Sequence, residues 1–393
     1  MTKFDRDYME LVNEIYKNGV LVENRTGIDT LKIPSFRFEF DLSSEFPILE
    51  TKSTVFRNAV TEMFWIWQQC SNNVSWLQER NNPIWNEWMV DADGIYRIYE
   101  PEIPGKEYNY DPEKEVVVMD PLSVPISDPF GYRNEMQPKY AENGTVMKAK
   151  SVIPGKTIKS AKFYGKQYAG TIGTAYGWIT KRYEMPNDLQ YVLRNHPNDR
   201  RIVKSFYQNE FMRTAVLPPC VWSTTWDVTD GKLNVIVNQR SCDVPLGLPF
   251  NVTQYATLLR MMAQTTGLEP GKMTFMINNA HIYINQIDGI KEQISRWDKY
   301  REMKSWSMSK LISRQLELTT ILENKKDFIT EDEKDRIDTE LKIIDIILNP
   351  STPDLWLNPD VKDFFGFDSS IKLNDCKVKG YKHMGRIKMP IAQ

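Results

Sequence analysis

The 393-residue sequence predicts an α+β fold, and three observations predict it. Residues 30 to 57 alternate apolar and polar positions and contain turn residues, which reads as strands. Two further strand-like runs, "AVLPPCVWSTTWDVT" and "KLNVIVNQRSCDV", flank Asp230-Gly231, a dipeptide suited to a two-residue hairpin. Helical spacing of apolar residues marks the N-terminus and several later segments.

Along the chain, "MTKFDRDYMELVNEIYKNG" is charged and amphipathic, as a helix covering a core would be. "RNAVTEMFWIWQQ" is apolar enough for a buried helix, and it carries one acid, Glu62. Residues 96 to 172 are rich in Pro, Gly, Tyr and charge with short runs such as "EVVVM", which reads as an insertion or a small β-rich subdomain. "PNDLQYVLRNHPNDRR" reads as a short helix ended by a proline-containing turn. "NVTQYATLLRMMAQTTG" has helical periodicity, an Asn/Thr start and a Gly stop. Residues 305 to 349 are charged and helical, and a capping box at Thr330 and Glu333 divides them into a hairpin.

Composition excludes several function classes. Hydrophobic content of 41% and charged content of 26% are ordinary for a globular chain, and a formal net charge of −2 gives no electrostatic case for nucleic acid or an anionic membrane. No signal-type leader or membrane-length apolar run is present, so a cytoplasmic location is expected. The four cysteines (Cys70, Cys220, Cys242, Cys376) lack CxxC or Cys/His spacing, and there are three histidines; neither a metal site nor a disulfide framework is expected.

Chemistry-bearing residues remain. Cys220 sits behind two prolines in "PPC". It is either a buried hydrophobe or a nucleophile, the latter if nearby guanidinium groups lower its pKa. Arg25 in "NRTG", Arg200 and Arg201 in "DRRIV", and Arg240 with Ser241 in "QRSCD" suit phosphate recognition. Asn251 in "LGLPFN" stands at a loop-to-helix junction, as an N-cap or as an amide that reads a ring bearing adjacent donor and acceptor. His281 and Tyr283, two apart in "NAHIYIN", share one face of a strand-like run.

Taken in order, "QRSCDVPLGLPFN" after "PPC", "AHIYIN", "NRTGIDT", "FPILETKS", "IWNEW", "DRRIVKSF" and "GYKHMGRIKMPIA" resemble the thymidylate synthase superfamily. The resemblance covers most of residues 5 to 95, 173 to 300 and 353 to 393. It implies one catalytic domain over 1–393 with insertions at 96–172 and 305–349, and a mixed β-sheet packed by helices whose outer face makes a homodimer contact. The implied substrates are dUMP and 5,10-methylenetetrahydrofolate, with no metal. Cys220 would add to C6 of the pyrimidine, and Glu62 would serve proton transfer near O4. Tyr176 in "TAYG", or else Tyr164 in "FYGKQY", would match the tyrosine tied to removal of the C5 proton. Asp243 would serve both catalysis and folate.

By the same resemblance, Arg25, Arg240, Ser241 and the partner subunit's copies of Arg200 and Arg201 would clamp the phosphate, with Gln239 beside the nucleotide. Asn251 would read the O4/N3 edge, and His281 with Tyr283 the deoxyribose hydroxyl. Ile84, Trp85, Trp88, Leu217, Asp243, Gly247 and Phe250 match positions lining the folate, and Ile391, Ala392 and Gln393 match the tail that closes over it.

Several positions depart from the synthase pattern. Val221 replaces a histidine after the nucleophile, "YGWIT" replaces "YGxQW", "INNAH" replaces a Gly-Asp run, "GYKHMGR" lacks "PHP", and the last residue is polar. A lid that seals poorly would admit water to the exocyclic methylene. The expected activity is therefore that of a deoxyuridylate hydroxymethylase of phage type, yielding 5-hydroxymethyl-dUMP; the alternative is reductive methylation to thymidylate. Asparagine at 251, where deoxycytidylate hydroxymethylases carry aspartate, favours uracil.

Overall fold

In the computed structural model, residues 1–101, 110–325 and 329–391 are described; Ala392 and Gln393 lie outside them. Helix α1 (Lys3–Asn18) starts at Thr2, whose hydroxyl accepts the Asp5 N–H, and buries Phe4, Tyr8, Leu11, Val12 and Ile15. The "NRTG" turn joins β1 (Val20–Val22) to β2 (Thr30–Asp41). The strand reading of residues 30 to 57 holds only as far as Asp41. Beyond it the chain is irregular, and its apolar residues Phe46, Ile48 and Leu49 are buried as plugs in the core rather than as one strand face. Helix α2 (Phe56–Met63) continues as a π-turn over Phe64–Gln68, and a single turn, α3 (Ser75–Gln78), follows.

Strands β3 (Ile95–Tyr99), β4 (Val116–Met119), β5 (Lys148–Ala149) and β6 (Ile158–Phe163) make a separate sheet in the order β3-β6-β4-β5. It has its own small core of Ile95, Val118, Ala149, Ile158 and Ala161, in keeping with the β-rich reading of this stretch. Then come α4 (Gly177–Arg182), α5 (Met185–Asn195), β7 (Val203–Ser205) and α6 (Asn209–Met212).

The expected hairpin is β8 (Val221–Thr229) with β9 (Lys232–Gln239), turned at Asp230 and Gly231, both at positive φ. Residues 215 to 220, read as part of that strand, precede it: Pro218 and Pro219 have no N–H for a ladder. After β10 (Cys242–Asp243), helix α7 (Gly247–Thr266) begins four residues before Asn251 and stops at Gly267, φ 75°. Asn251 is thus not its N-cap; Asp243 Oδ1 accepts the Leu246 N–H instead. The long β11 (Glu269–Tyr283) leads into α8 (Ile287–Lys304), α9 (Met308–Lys325) and α10 (Glu331–Leu348). The capping box at Thr330 and Glu333 forms as expected. Finally β12 (Asp354–Leu357) pairs with β13 (Cys376–Lys379).

The main sheet is mixed, in the order β1-β2-β11-β9-β8-β7, with β10 pairing β11. Strand β11 runs antiparallel to β2 and parallel to β9. Alternation sends Phe38, Phe40, Met273, Phe275, Val235, Val237 and Trp226 into the core beneath α1 and α7. The same alternation leaves Ile236 44% and Met276 41% exposed on the other face. One hydrophobic cluster runs from Phe4 to Met389, and the hairpin of α9 and α10 adds a satellite around Leu311, Leu318, Ile343 and Met384. Among the described residues no helix is long and apolar enough to cross a membrane.

Candidate active site

Cys220 lies at the entrance to β8, half-buried, and two groups fix its loop. Arg240, from the end of β9, donates Nη2–H to Pro218 O at 2.6 Å and Nε–H to Pro219 O at 3.0 Å. Its Nη2 stands 3.9 Å from Cys220 Sγ. Tyr176 Oη accepts the Cys220 backbone N–H at 2.8 Å. The sequence alone offered two tyrosines here. Tyr164 packs instead with Tyr96 in a cluster against Trp88 and Val216.

The backbone at Tyr176 has φ 41°, a region side-chain-bearing residues rarely adopt, and the next residue is locked from behind. A Cβ at Gly177 would lie 1.7 Å from Ser71 O, so only glycine fits there.

The guanidinium groups do not win over the thiol. Burial pushes the Cys220 pKa up, and Arg240, then Arg25, oppose it incompletely, while Asp243 adds to the rise. The sulfur is therefore held as a thiol. Burial also raises Tyr176 well above the phenol range, so its hydroxyl keeps its proton beside the sulfur.

Behind Asn251 runs a buried chain of amides. Gln239 Nε2 donates to Asn251 Oδ1 at 3.3 Å and to Ser241 O at 3.0 Å. Asn251 Nδ2 donates to Gln254 Oε1 at 3.2 Å, and Gln254 Nε2 donates to Glu62 Oε2. Trp85 Nε1 donates to Glu62 Oε1 at 2.8 Å. Burial raises the Glu62 pKa from 4.5 to about 7, with the Trp85 and Gln254 bonds opposing it. Trp85 stacks edge-on with Tyr176 and Trp88, at 5.6 and 5.4 Å between ring centroids, which joins this chain to the Cys220 cluster.

On the other side Asp243 accepts from Gln286 Nε2 at 3.1 Å. Burial raises the Asp243 carboxyl above its ordinary range, opposed by His281, the Leu246 amide, Gln286 and Lys52. Burial pulls the His281 imidazole down. A neutral ring donating Nδ1–H to Asn279 O, 3.0 Å away, leaves Nε2 as an acceptor. The His281 and Tyr283 rings meet edge-on at 5.0 Å. Gly247 lies between the two halves: a Cβ there would sit 3.8 Å from Asn251 Oδ1 and 3.9 Å from Asp243 Cβ.

Not every expected residue joins this cluster. Arg25 is exposed on its turn, close enough for its charge to act on the Cys220 thiol. Arg200 and Arg201 are exposed beyond α5, and Arg201 forms a two-pronged pair with Asp199 at 2.7 and 3.0 Å. Among the described residues no hydrogen bond links either arginine to Cys220, Arg240 or Asn251. Ile84, Trp88 and Leu217 are half-buried apolar groups packed on the core, Phe250 is half-buried in the first turns of α7, and Ile391 is exposed.

The sequence reading missed Gln254, Gln286 and Lys52. Gln254 stands three residues after Asn251 on the same helix, so the two amides share one face, a signal that was available. Lys52, from "FPILETKS", is buried and donates to Pro245 O. Among the described residues no group of three His, Cys, Asp or Glu side chains is gathered so as to hold a metal ion.

Comparison with known proteins gives a consistent result. The thymidylate synthase family model matches residues 6–332. The chain is 32% identical to a thymidylate synthase of Clostridium beijerinckii over 392 residues, covering all of both chains. It is 29% identical to that of Oenococcus oeni, again over the whole of both. A thymidylate synthase of Listeria monocytogenes is 31% identical over 299 residues, 74% of this chain and 86% of that one. Among solved structures, thermostable thymidylate synthase A from Bacillus subtilis matches with a TM-score of 0.61 and 26% identity, over all of both chains.

The Glu62 environment carries a stability prediction. Its folded pKa of about 7 exceeds 4.5, so folding takes up a proton between those values and stability falls as pH rises through that window. Glu62→Gln removes this dependence. Its melting temperature should gain on that of the wild type between about pH 5 and about pH 8; a constant difference would show that the carboxyl is not held protonated.

Proposed function

The chain belongs to the thymidylate synthase family, and on that premise we propose that it converts dUMP to thymidylate. As a member of that family it is a one-carbon transferase whose co-substrate is 5,10-methylenetetrahydrofolate. The observation that carries the proposal is the convergence of Cys220, Tyr176 and Arg240 on one side, and of Glu62 and Asn251 on the other, through Trp85 and the buried amide chain.

The residues divide the work as follows. Cys220 Sγ bonds to C6 of the uracil, and the electron pair displaced from C5=C6 moves towards O4. The thiol sheds its proton as the bond forms, and the Arg240 guanidinium stabilises sulfur charge during the attack. Glu62, titrating near neutrality, can hold or return a proton on the O4 side. C5, now a carbon nucleophile, takes the one-carbon unit, and the Tyr176 hydroxyl assists loss of the C5 proton. As that proton leaves, the bond from the new carbon to the folate nitrogen breaks, giving an exocyclic methylene; tetrahydrofolate then transfers a hydride to that methylene and departs as dihydrofolate. The C6–S bond breaks and Cys220 is restored.

Asn251 offers its remaining N–H and its carbonyl lone pair to O4 and N3 of uracil. Arg25, Arg240 and Ser241 hold the phosphate, with Gln239 beside the nucleotide, and His281 and Tyr283 meet the sugar hydroxyl. Trp85, Trp88, Ile84, Leu217 and Phe250 form a partly buried apolar wall suited to a pterin ring, with Gly247 leaving room and the Asp243 carboxyl as its polar anchor.

The departures that pointed to hydration of the methylene weigh less in three dimensions. Val221 is 2% exposed in the core and opens no path to solvent. Asn279 adopts φ 48°, a backbone that asparagine tolerates where the usual pattern has glycine nearby. Trp85 stays buried against Tyr176. The names of the relatives also support reduction over hydration.

We read the chain as one catalytic unit decorated by residues 96–172 and 305–349, and as a homodimer through the exposed sheet face bearing Ile236 and Met276. Arg200 and Arg201 would then serve the partner's phosphate.

Three outcomes are expected. Cys220→Ala should abolish turnover while dUMP still binds by calorimetry; surviving turnover would end the covalent mechanism. Asn251→Asp should shift the ratio of kcat/KM from dUMP towards dCMP by roughly 10-fold or more, and an unchanged ratio would refute the assigned pyrimidine contact. Mixing Cys220→Ala with the Arg200→Ala/Arg201→Ala double variant, each inactive alone, should restore activity after subunit exchange. Arginines acting within their own chain would restore none.

A further inference from the structure

Gln286 ends the turn between β11 and α8 and is fully buried. Its Oε1 accepts the Tyr283 backbone N–H at 3.1 Å. Its Nε2 donates to the Asp243 carboxylate, 3.1 Å from Oδ2 and 3.3 Å from Oδ1, and to Pro390 O at 3.1 Å. One amide therefore has its acceptor and both N–H groups engaged, with three segments of chain.

The approach of the tail explains why the third bond matters. The tail is anchored at its root: Lys382 Nζ lies 2.7 Å from Asp345 on α10, and Arg296 on α8 donates to Met384 O at 2.8 Å and Arg386 O at 3.2 Å. From there it runs along α8. A Cβ at Gly289 would meet Met389 Sδ at 2.5 Å and Lys388 O at 3.0 Å, so the absence of a side chain there lets the tail lie down. Among the described residues no hydrogen bond other than that from Gln286 reaches residues 387–391.

We propose that Gln286 is a positioning residue that holds the C-terminal tail in register with Asp243 and Tyr283. This rests on the reading above of Asp243 and the tail as folate-side groups and of Tyr283 as a sugar contact. When the tail lies down, Pro390 O takes one N–H of an amide whose other two bonds orient those groups. When it lifts, that N–H is left buried and unmatched, which favours re-closure.

Two variants separate the proposal from a general packing role. Gln286→Met removes all three bonds at similar volume. Gly289→Ala crowds the Met389 side chain and the Lys388 carbonyl where the tail lies on α8, without touching Asp243 or Tyr283, and alanine does not weaken the helix. Both are expected to raise KM for methylenetetrahydrofolate by roughly 10-fold or more, to expose the C-terminus to carboxypeptidase, and to release part of the product as 5-hydroxymethyl-dUMP. The affinity of Gly289→Ala for dUMP should stay as in the wild type.

Wild-type folate KM, product partition and tail protection in both variants would overturn the proposal. Should Gln286→Met fail to fold, Gly289→Ala decides alone: tail exposure with a raised folate KM upholds the proposal, and an undisturbed tail overturns it. Failure of the underlying reading looks different, since the wild type itself would then form no product from dUMP, while the carboxypeptidase comparison still tests the Gln286–tail link.

Discussion

A single direction of hydrogen bonding runs through the middle of this protein, and the site depends on it. Glu62 is buried and receives N–H bonds from both Trp85 and Gln254. Because Gln254 points its amide nitrogen at the carboxylate, its carbonyl must face Asn251 Nδ2, and Asn251 Oδ1 must then face Gln239. The acid thus sets which edge each amide in the row presents. Asn251, proposed to read the pyrimidine, and Glu62, proposed to move protons near it, are parts of one network. Removing an interior member would strand buried donors, which costs about 1–3 kcal/mol per group.

The second constraint is steric. Pro218 and Pro219 supply carbonyls but no N–H groups, so Arg240 can bind both and pull the Cys220 loop into a fixed shape. Tyr176 reaches the same loop because Gly177 fits against Ser71 O where no side chain could. Cys220, Arg240 and Tyr176 are therefore placed by backbone geometry. The sulfur itself stays protonated, because burial outweighs the nearby positive charge. On the proposed mechanism, that arrangement keeps the thiol unreactive until substrate brings an electrophile to it.

Much of this was legible in the sequence because it is local. The Asp230-Gly231 turn and the capping box at Thr330 each depend on neighbours a few residues away. What escaped notice depends on distance. Gln254 and Glu62 are 192 residues apart, and Tyr176, which the fold brings to Cys220, is separated from it by 44. Helix α8 was missed because it buries Gln293 as well as Ile290, Tyr300 and Met303, which blurs its apolar stripe. Phe46, Ile48 and Leu49 misled in the opposite sense, as buried apolar residues without a regular element around them. Reading the departures around Val221 as a leak also failed to anticipate that this side chain sits in the core.

The central claim is chemical: this site delivers a carbon and then a hydride to C5 of dUMP. The most direct test incubates the purified protein with dUMP and methylenetetrahydrofolate, follows dihydrofolate absorbance, and identifies the nucleotide by mass. The account predicts thymidylate with one dihydrofolate formed per nucleotide. Hydroxymethyl-dUMP without dihydrofolate would contradict it, and would mean that water reaches the methylene despite the buried Trp85.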